Sequence, residues 1–244
     1  MAATPSRAPV LILASKAVDA QPYTAVASKL GIAAVLGTGD SSQPFLSLNF
    51  AQRESALDIV QYASEHPLSA MVAVDEAAAP ACARAAGMLG LRWHPPRAAD
   101  ACADKNLLRE KLGAAGIITF SLAPAAERYA CGVAAIAQAG KLRVLGVVPM
   151  ESQPAAERSL VFQTVRRAVH AAGLSYGPVS ARLEVAGEKV SILDLAPVIP
   201  VAFEDQLHFR IPLVDDDVSL CEVVLRHALG MDISRVYRRQ VPAR

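Results

Sequence analysis

The sequence predicts an α/β amino-terminal domain built on a mainly parallel sheet, followed by an α+β domain with an antiparallel sheet. Two patterns carry that expectation. In the first half, short apolar runs alternate with segments of helical periodicity, as β-α-β units require. From residue 133 onward, apolar runs come in pairs joined by short glycine-containing turns, as hairpins require. A connection near 119–129 (SLAPAAER) divides the chain into domains 1–118 and 119–244. At 244 residues, the chain can bury one large core or two small ones.

The elements follow in order. VLILA (10–14) reads as a buried strand, 23–30 as a helix ended by Gly31, and 32–36 as a second strand. Residues 45–50 alternate Phe45, Ser47 and Asn49 with Leu46, Leu48 and Phe50, which fits a third strand. The spacing of Ala56, Ile59, Val60 and Ala63 predicts a helix over 53–65. Residues 71–74 form another strand, which runs into Asp75, Glu76 and the Ala-rich helix 77–89. After His94-Pro95-Pro96, one helix is expected over 97–112, with Asp104, Lys105, Arg109, Glu110 and Lys111 on a solvated face. The second half predicts a hairpin (133–137 with 142–148), an amphipathic helix (154–172), a second hairpin (179–185 with 190–195) and a closing helix (219–229).

Composition narrows the function classes. The chain is 53% apolar and 19% charged, with a net charge of +1 and no basic run. That leaves no stripe for nucleic acid, and the cationic end RVYRRQVPAR reads as a solvated tail. The apolar excess predicts surface covered by a partner subunit, as in a homo-oligomer. No apolar segment approaches membrane-spanning length. The first apolar run is interrupted by Lys16 and is too short for a secretory core. Cys82, Cys102, Cys131 and Cys221 are scattered without a CxxC pair, which predicts buried thiols and a cytoplasmic setting. The five histidines (His66, His94, His170, His208, His227) lack metal-ligand spacing.

Several positions invite a functional reading. Asp75 and Glu76 lie at the carboxyl end of a predicted strand, where open α/β sheets bind ligands. They also precede a helix, where acidic residues are favoured for structural reasons alone. GTGD (37–40) is a phosphate-loop fragment or an ordinary turn. Glu204, Asp205, His208 and Arg210 form a polar cluster after the second hairpin. Asp215, Asp216 and Asp217 most simply stabilise the N-terminus of the closing helix. In the second hairpin, placing Ala181, Leu183, Val185, Leu193 and Leu195 on one apolar face requires a three-residue turn, 187–189. That register sets Arg182 opposite Asp194 on the other face. A two-residue turn would bury Asp194 among leucines, at a cost of several kcal/mol.

The order of segments resembles the ATP-grasp superfamily, in particular its amino-acid-ligase-like carboxylate–amine ligases. MVAVDEAAAPACARAAGMLGLRWHPPRAADACADKNLLREKLGAAGI is similar to the end of that family's amino-terminal domain. GVAAIAQAGKLRVLGVVP is similar to its following strand pair, and SLCEVVLRHALGMDISRV to a helix beyond the site. GLSYGPVSARLEVAGEKVSILDLAP resembles its catalytic hairpin, in which a Gly-Leu-x-x-Gly-Pro turn leads to a metal-binding Glu and the return strand carries Glu-x-Asn and an Arg. Here those positions read Arg182, Asp194, Ala196 and Val198. A guanidinium has no lone pair to offer Mg²⁺.

The resemblance further implies a nucleotide-binding lid after the Ala-Gly turn, yet residues 117–132 hold no lid strand, lysine or glycine-rich loop. Lys105 matches a family position that helps bind nucleotide. The resemblance therefore implies a shortened, truncated ATP-grasp-like fold and a non-catalytic pseudo-ligase. Such a protein would bind a small acidic metabolite through Asp75, Glu76, Lys105, Arg182, Asp194 and Arg210, or act as the partner of an active ATP-grasp homologue. No cofactor or metal is then expected. The alternative is an ATP-dependent carboxylate–amine ligase or cofactor-biosynthesis enzyme, using ATP and Mg²⁺. Its site would be rebuilt from Asp194, Glu184 and Lys105, or completed by a partner's nucleotide-binding half.

Overall fold

The computed structural model describes residues 8–39, 46–120, 128–148, 155–207, 209–211 and 216–238; within these, the side chains of 155–157, 204–206, 209–211, 216 and 237–238 are outside the description. The element order is β1 (Val10–Ala14), α1 (Gln21–Lys29), β2 (Ala34–Thr38), β3 (Leu46–Ser47), α2 (Ser55–Glu65), β4 (Ala70–Ala73) and α3 (Ala79–Leu89). Next come α4 (Pro96–Ala103), α5 (Lys105–Ala114), β5 (Tyr129–Gln138), β6 (Lys141–Val148), α6 (Ala155–Ala172), β7 (Tyr176–Ala186) and β8 (Lys189–Ala196). The chain closes with β9 (Phe209–Ile211), β10 (Asp216–Val218), α7 (Leu220–Ala228) and β11 (Tyr237–Arg238). No described helix is long and apolar enough to cross a membrane. All four cysteines are free thiols and buried.

Contacts gather the chain into two units, Met1–Trp93 with His208–Tyr237, and His94–Leu207 with Arg238–Arg244. These cuts differ from the 118/119 division because α4 and α5 pack into the second unit's core through Ala98, Cys102, Leu108 and Leu112. The first unit holds a parallel sheet ordered β3-β2-β1-β4. Its central strand β1 is an unbroken apolar run, and all five of its residues are buried, as a parallel strand covered on both faces demands. The expected third strand shrinks to Leu46–Ser47, with Phe45 outside the described residues. Gly37 and Thr38 of the GTGD segment lie within β2, and Asp40 falls outside the description.

The second unit holds an antiparallel sheet ordered β6-β5-β7-β8. On one face, Val133, Val179, Ala181, Leu183 and Val185 meet Val161, Val165 and Val169 of α6. This face is the unit's core. The two sheets match the predicted fold class: a parallel layer first, then an antiparallel one.

Two expectations are corrected. The single helix 97–112 is two helices, broken at Asp104, whose extended backbone (φ −94°, ψ 103°) ends α4 and starts α5. Its carboxylate accepts hydrogen bonds from the Asn106 and Leu107 amides at 2.9 and 3.2 Å, an N-cap that holds the break. Of the acidic run before the closing helix, Asp216 and Asp217 lie in β10, paired with Ile211 and Arg210, and Asp215 is outside the description. Ser219 is the cap, its Oγ accepting from the Glu222 amide at 3.0 Å.

The second hairpin also turns differently. Its loop is the two residues Gly187 and Glu188, with Gly187 at φ +57°, the left-handed conformation that a tight hairpin asks of its first central residue. Arg182 nevertheless faces Asp194, because a bulge at Leu193 resets the register between Leu183↔Ile192 and Arg182↔Asp194. Leu193 is consequently 39% exposed, whereas Val190 and Ile192 take the buried places.

Candidate functional site

Alternation along β7 sends Arg182 and Glu184 to the face opposite α6. The cap at Asp104 starts α5 with Lys105, which reaches the same place from a second element. Lys105 Nζ donates to Asp194 Oδ1 at 2.5 Å, and Arg182 Nη2 lies 3.5 Å from Oδ2. The Leu195 amide also donates to Oδ1, at 3.0 Å. Beside them, Arg128 Nη1 sits 2.6 Å from both oxygens of Glu184.

Charge and exposure are unevenly shared. The Asp194 side chain is only 12% exposed, whereas Lys105 and Arg182 are 48% and 73% exposed. Among the described residues, the cluster sets Lys105, Arg128 and Arg182 against Asp194 and Glu184. Arg182 spends one long contact on Asp194, and most of its five donors face solvent. The cluster therefore presents an oriented guanidinium and ammonium beside a carboxylate that is already satisfied. Such a surface recognises anions.

The rest of this face is closed by the chain itself. A Cβ at Gly132, the residue opposite Arg182 on β5, would lie 2.6 Å from Phe203 Cζ. A Cβ at Gly146 on β6 would overlap the Leu207 side chain. Glycine at these positions lets the apolar segment after β8 lie directly on the sheet.

The remaining predicted residues lie in the first unit. Asp75 accepts from the Ser15 amide (2.5 Å), the Ser15 hydroxyl (2.9 Å) and the Ala78 amide (2.9 Å). It ties the end of β1 to the turn before α3. Glu76 beside it is exposed. Arg210 pairs with Asp217 through the backbone of β9, and its side chain is outside the description, as are those of Glu204, Asp205 and His208. Among the described residues, no group of three or more His, Cys, Asp or Glu side chains is placed to hold a metal ion.

Sequence reading missed four contributors. Arg128 was hidden in a stretch read as a connection, and its only signal is adjacency to Tyr129, which pairs with Val185. Phe203 and Leu207 carry no periodic signal. His94 is buried, with Nε2 2.8 Å from the Pro178 carbonyl and Nδ1 accepting from the Tyr176 amide at 3.4 Å. Those two bonds pin the start of β7, upstream of Arg182.

Comparison with solved structures gives the architecture a context. An L-amino acid ligase from Bacillus licheniformis superposes with a TM-score of 0.71 at 16% identity, covering 91% of this chain and 74% of its own. N5-carboxyaminoimidazole ribonucleotide synthetase from Thermus thermophilus superposes with a TM-score of 0.71 at 13% identity, covering 94% and 81%. A carboxyaminoimidazole ribonucleotide synthase from Aspergillus clavatus, complexed with ATP, gives 0.72 at 12% identity, covering 96% and 80%. The chain has an ATP-grasp-like fold. No protein-family model matches the chain, and no curated protein matches it in sequence. Within the ATP-grasp-like fold, β7 and β8 form the hairpin that carries Arg182 and Asp194.

Proposed function

We propose that this ATP-grasp-like protein is non-catalytic and holds a small acidic metabolite against Arg182 and Lys105. The observation that carries the reading is the state of Asp194. The one carboxylate at a hairpin position where the resemblance implies a metal ligand is bridged by Lys105 at 2.5 Å and Arg182 at 3.5 Å. ATP-grasp ligases imply Mg²⁺ held with nucleotide phosphates, and such a cation takes carboxylate and water oxygens. The donor set here does not fit it. Position 182 is a guanidinium, Asp194 is paired with two cations, and Glu184 is held by Arg128. Phe203 and Leu207 lie on the adjoining strands. An anion, by contrast, meets two exposed cations already oriented by a shared carboxylate. A second copy of the chain or an active ATP-grasp homologue is the proposed subunit context, checked by light scattering on the purified protein and by co-purification.

The test is isothermal titration with MgATP and, separately, with a small dicarboxylate such as succinate, each paired with a thermal-shift measurement. The dicarboxylate is expected to bind saturably and to weaken about tenfold on Arg182→Ala. MgATP is expected to give neither heat nor shift at millimolar concentration. Mg²⁺-dependent ATP binding that disappears on Lys105→Ala or Asp194→Ala would overturn the proposal. The chain would then be read as an ATP-dependent carboxylate–amine ligase or cofactor-biosynthesis enzyme.

A further inference from the structure

On the other side of the antiparallel sheet, the ends of α5 and α6 meet the β5–β6 turn around a groove of about 470 Å³. Its rim carries Lys141, Arg166, Arg167 and His170, and none of the described lining residues is acidic. Its floor is apolar, formed by Leu142, Val169 and Leu174, of which Val169 and Leu174 are buried. Because Val169 belongs to the core face with Leu183, the groove lies on the face opposite the Arg182–Asp194 cluster.

Helix-capping accounts for part of this charge and not for the rest. Arg167 Nη2 donates to the Ala115 carbonyl at 2.7 Å, serving the end of α5. The two helix ends contribute roughly −0.5 elementary charge each, about −1 together. Lys141, Arg166 and Arg167 supply three permanent positive charges, with His170 a titratable fourth. Among the described residues, no carboxylate pairs with any of them. The surplus is about two positive charges over an apolar floor.

We infer that this groove is a binding site for an amphipathic organic anion, an aryl or alkyl group bearing a phosphate or carboxylate. The volume lies in the range of small-molecule sites. The apolar body covers Leu142 and Leu174, and the anionic head meets Lys141, Arg166 and His170 at the rim. This site is independent of the one proposed around Arg182.

Phenyl phosphate is the probe, titrated into the full ¹⁵N-labelled chain, with inorganic phosphate and benzyl alcohol as separate head and body controls. Saturable shifts are expected at the Gly140, Lys141 and Ala171 amides, with affinity about tenfold above either control. The double variant Lys141→Gln/Arg166→Gln should weaken phenyl phosphate about tenfold, and Arg182→Gln should leave those shifts unchanged. A second variant, Leu142→Glu, adds a carboxylate at a partly exposed floor position and should abolish the shifts. Absence of saturation, equal binding of inorganic phosphate, or full binding by both the double variant and Leu142→Glu overturns the inference.

Discussion

Two carboxylates among the described residues, Glu222 and Asp194, are each flanked by two cations in different surroundings. In the first unit, Glu222 Oε2 meets Lys29 at 2.9 Å and Oε1 meets Arg226 at 2.7 Å, with the Glu222 side chain 2% exposed. In the second unit, Asp194 meets Lys105 and Arg182. Arg226 is itself largely buried, so the Glu222 cluster is a closed staple between α1 and α7. The lysines of the two clusters are about equally exposed, but Arg182 stands in water where Arg226 does not, so the Asp194 cluster is the more open of the two. Equal charge composition does not give equal surroundings; what differs is which member of the cluster has lost its solvent.

The comparison breaks most visibly if the buried cluster is touched. Removing one partner of a buried ion pair costs about 3–5 kcal/mol, and the half-exposed Lys29 puts Glu222→Gln near the lower end, about 3 kcal/mol. Urea unfolding should register it; a loss below about 1 kcal/mol would mean the staple is no more than a surface pair. Gly146→Val should follow, at about 2 kcal/mol, because the new side chain must displace Leu207 from the sheet. An unchanged unfolding midpoint there would show that the segment after β8 does not rest on this face.

A smaller, pH-gated effect belongs to His227, next to Arg226 on α7. Burial, reinforced by the charge of Arg92, lowers its imidazole from 6.5 to about 4. The unfolded chain therefore takes up this proton more readily than the folded one. The stability contributed by the neutral ring is complete above pH 6.5 and is lost as the pH falls through about 4. Melting temperature should drop across that window, and His227→Gln should remove part of the slope; identical slopes would sink the assignment. The smallest change is expected from Asp194→Asn, below about 1 kcal/mol, since its partners are exposed. Its binding effect should be the reverse of small: removing the negative charge beside Arg182 should tighten dicarboxylate binding measured by calorimetry.

Much of this was legible in the sequence, and the misses have physical causes. β1 and α6 announce themselves because their environments are uniform: five apolar residues in a row, or valines at 161, 165 and 169. Arg182 opposite Asp194 was legible because burying the leucines leaves those two for the other face. The route was not, because a three-residue turn and a two-residue turn with a bulge deliver the same pairing, and only the exposure of Leu193 separates them. Asp104 was read as one more charge on a helix face, since a cap and a solvated carboxylate look alike until backbone angles are known. The contact from Lys105 to Asp194 spans 89 positions, and no local period encodes it. Of the site residues named beforehand, Lys105, Arg182 and Asp194 converge, whereas Asp75 is occupied in joining β1 to the turn before α3.

The bulge at Leu193 has a practical consequence. Register is reset between the hairpin tip and the ion pair, so the tip and the base are separate modules of one ribbon. Lengthening the Gly187–Glu188 loop, for instance to graft an epitope or a fluorophore-labelling tag, should leave the spacing of Arg182 and Asp194 intact. The hairpin thus provides an insertion point whose reporter would sit on the same strands as the Arg182–Asp194 pair without rewriting it.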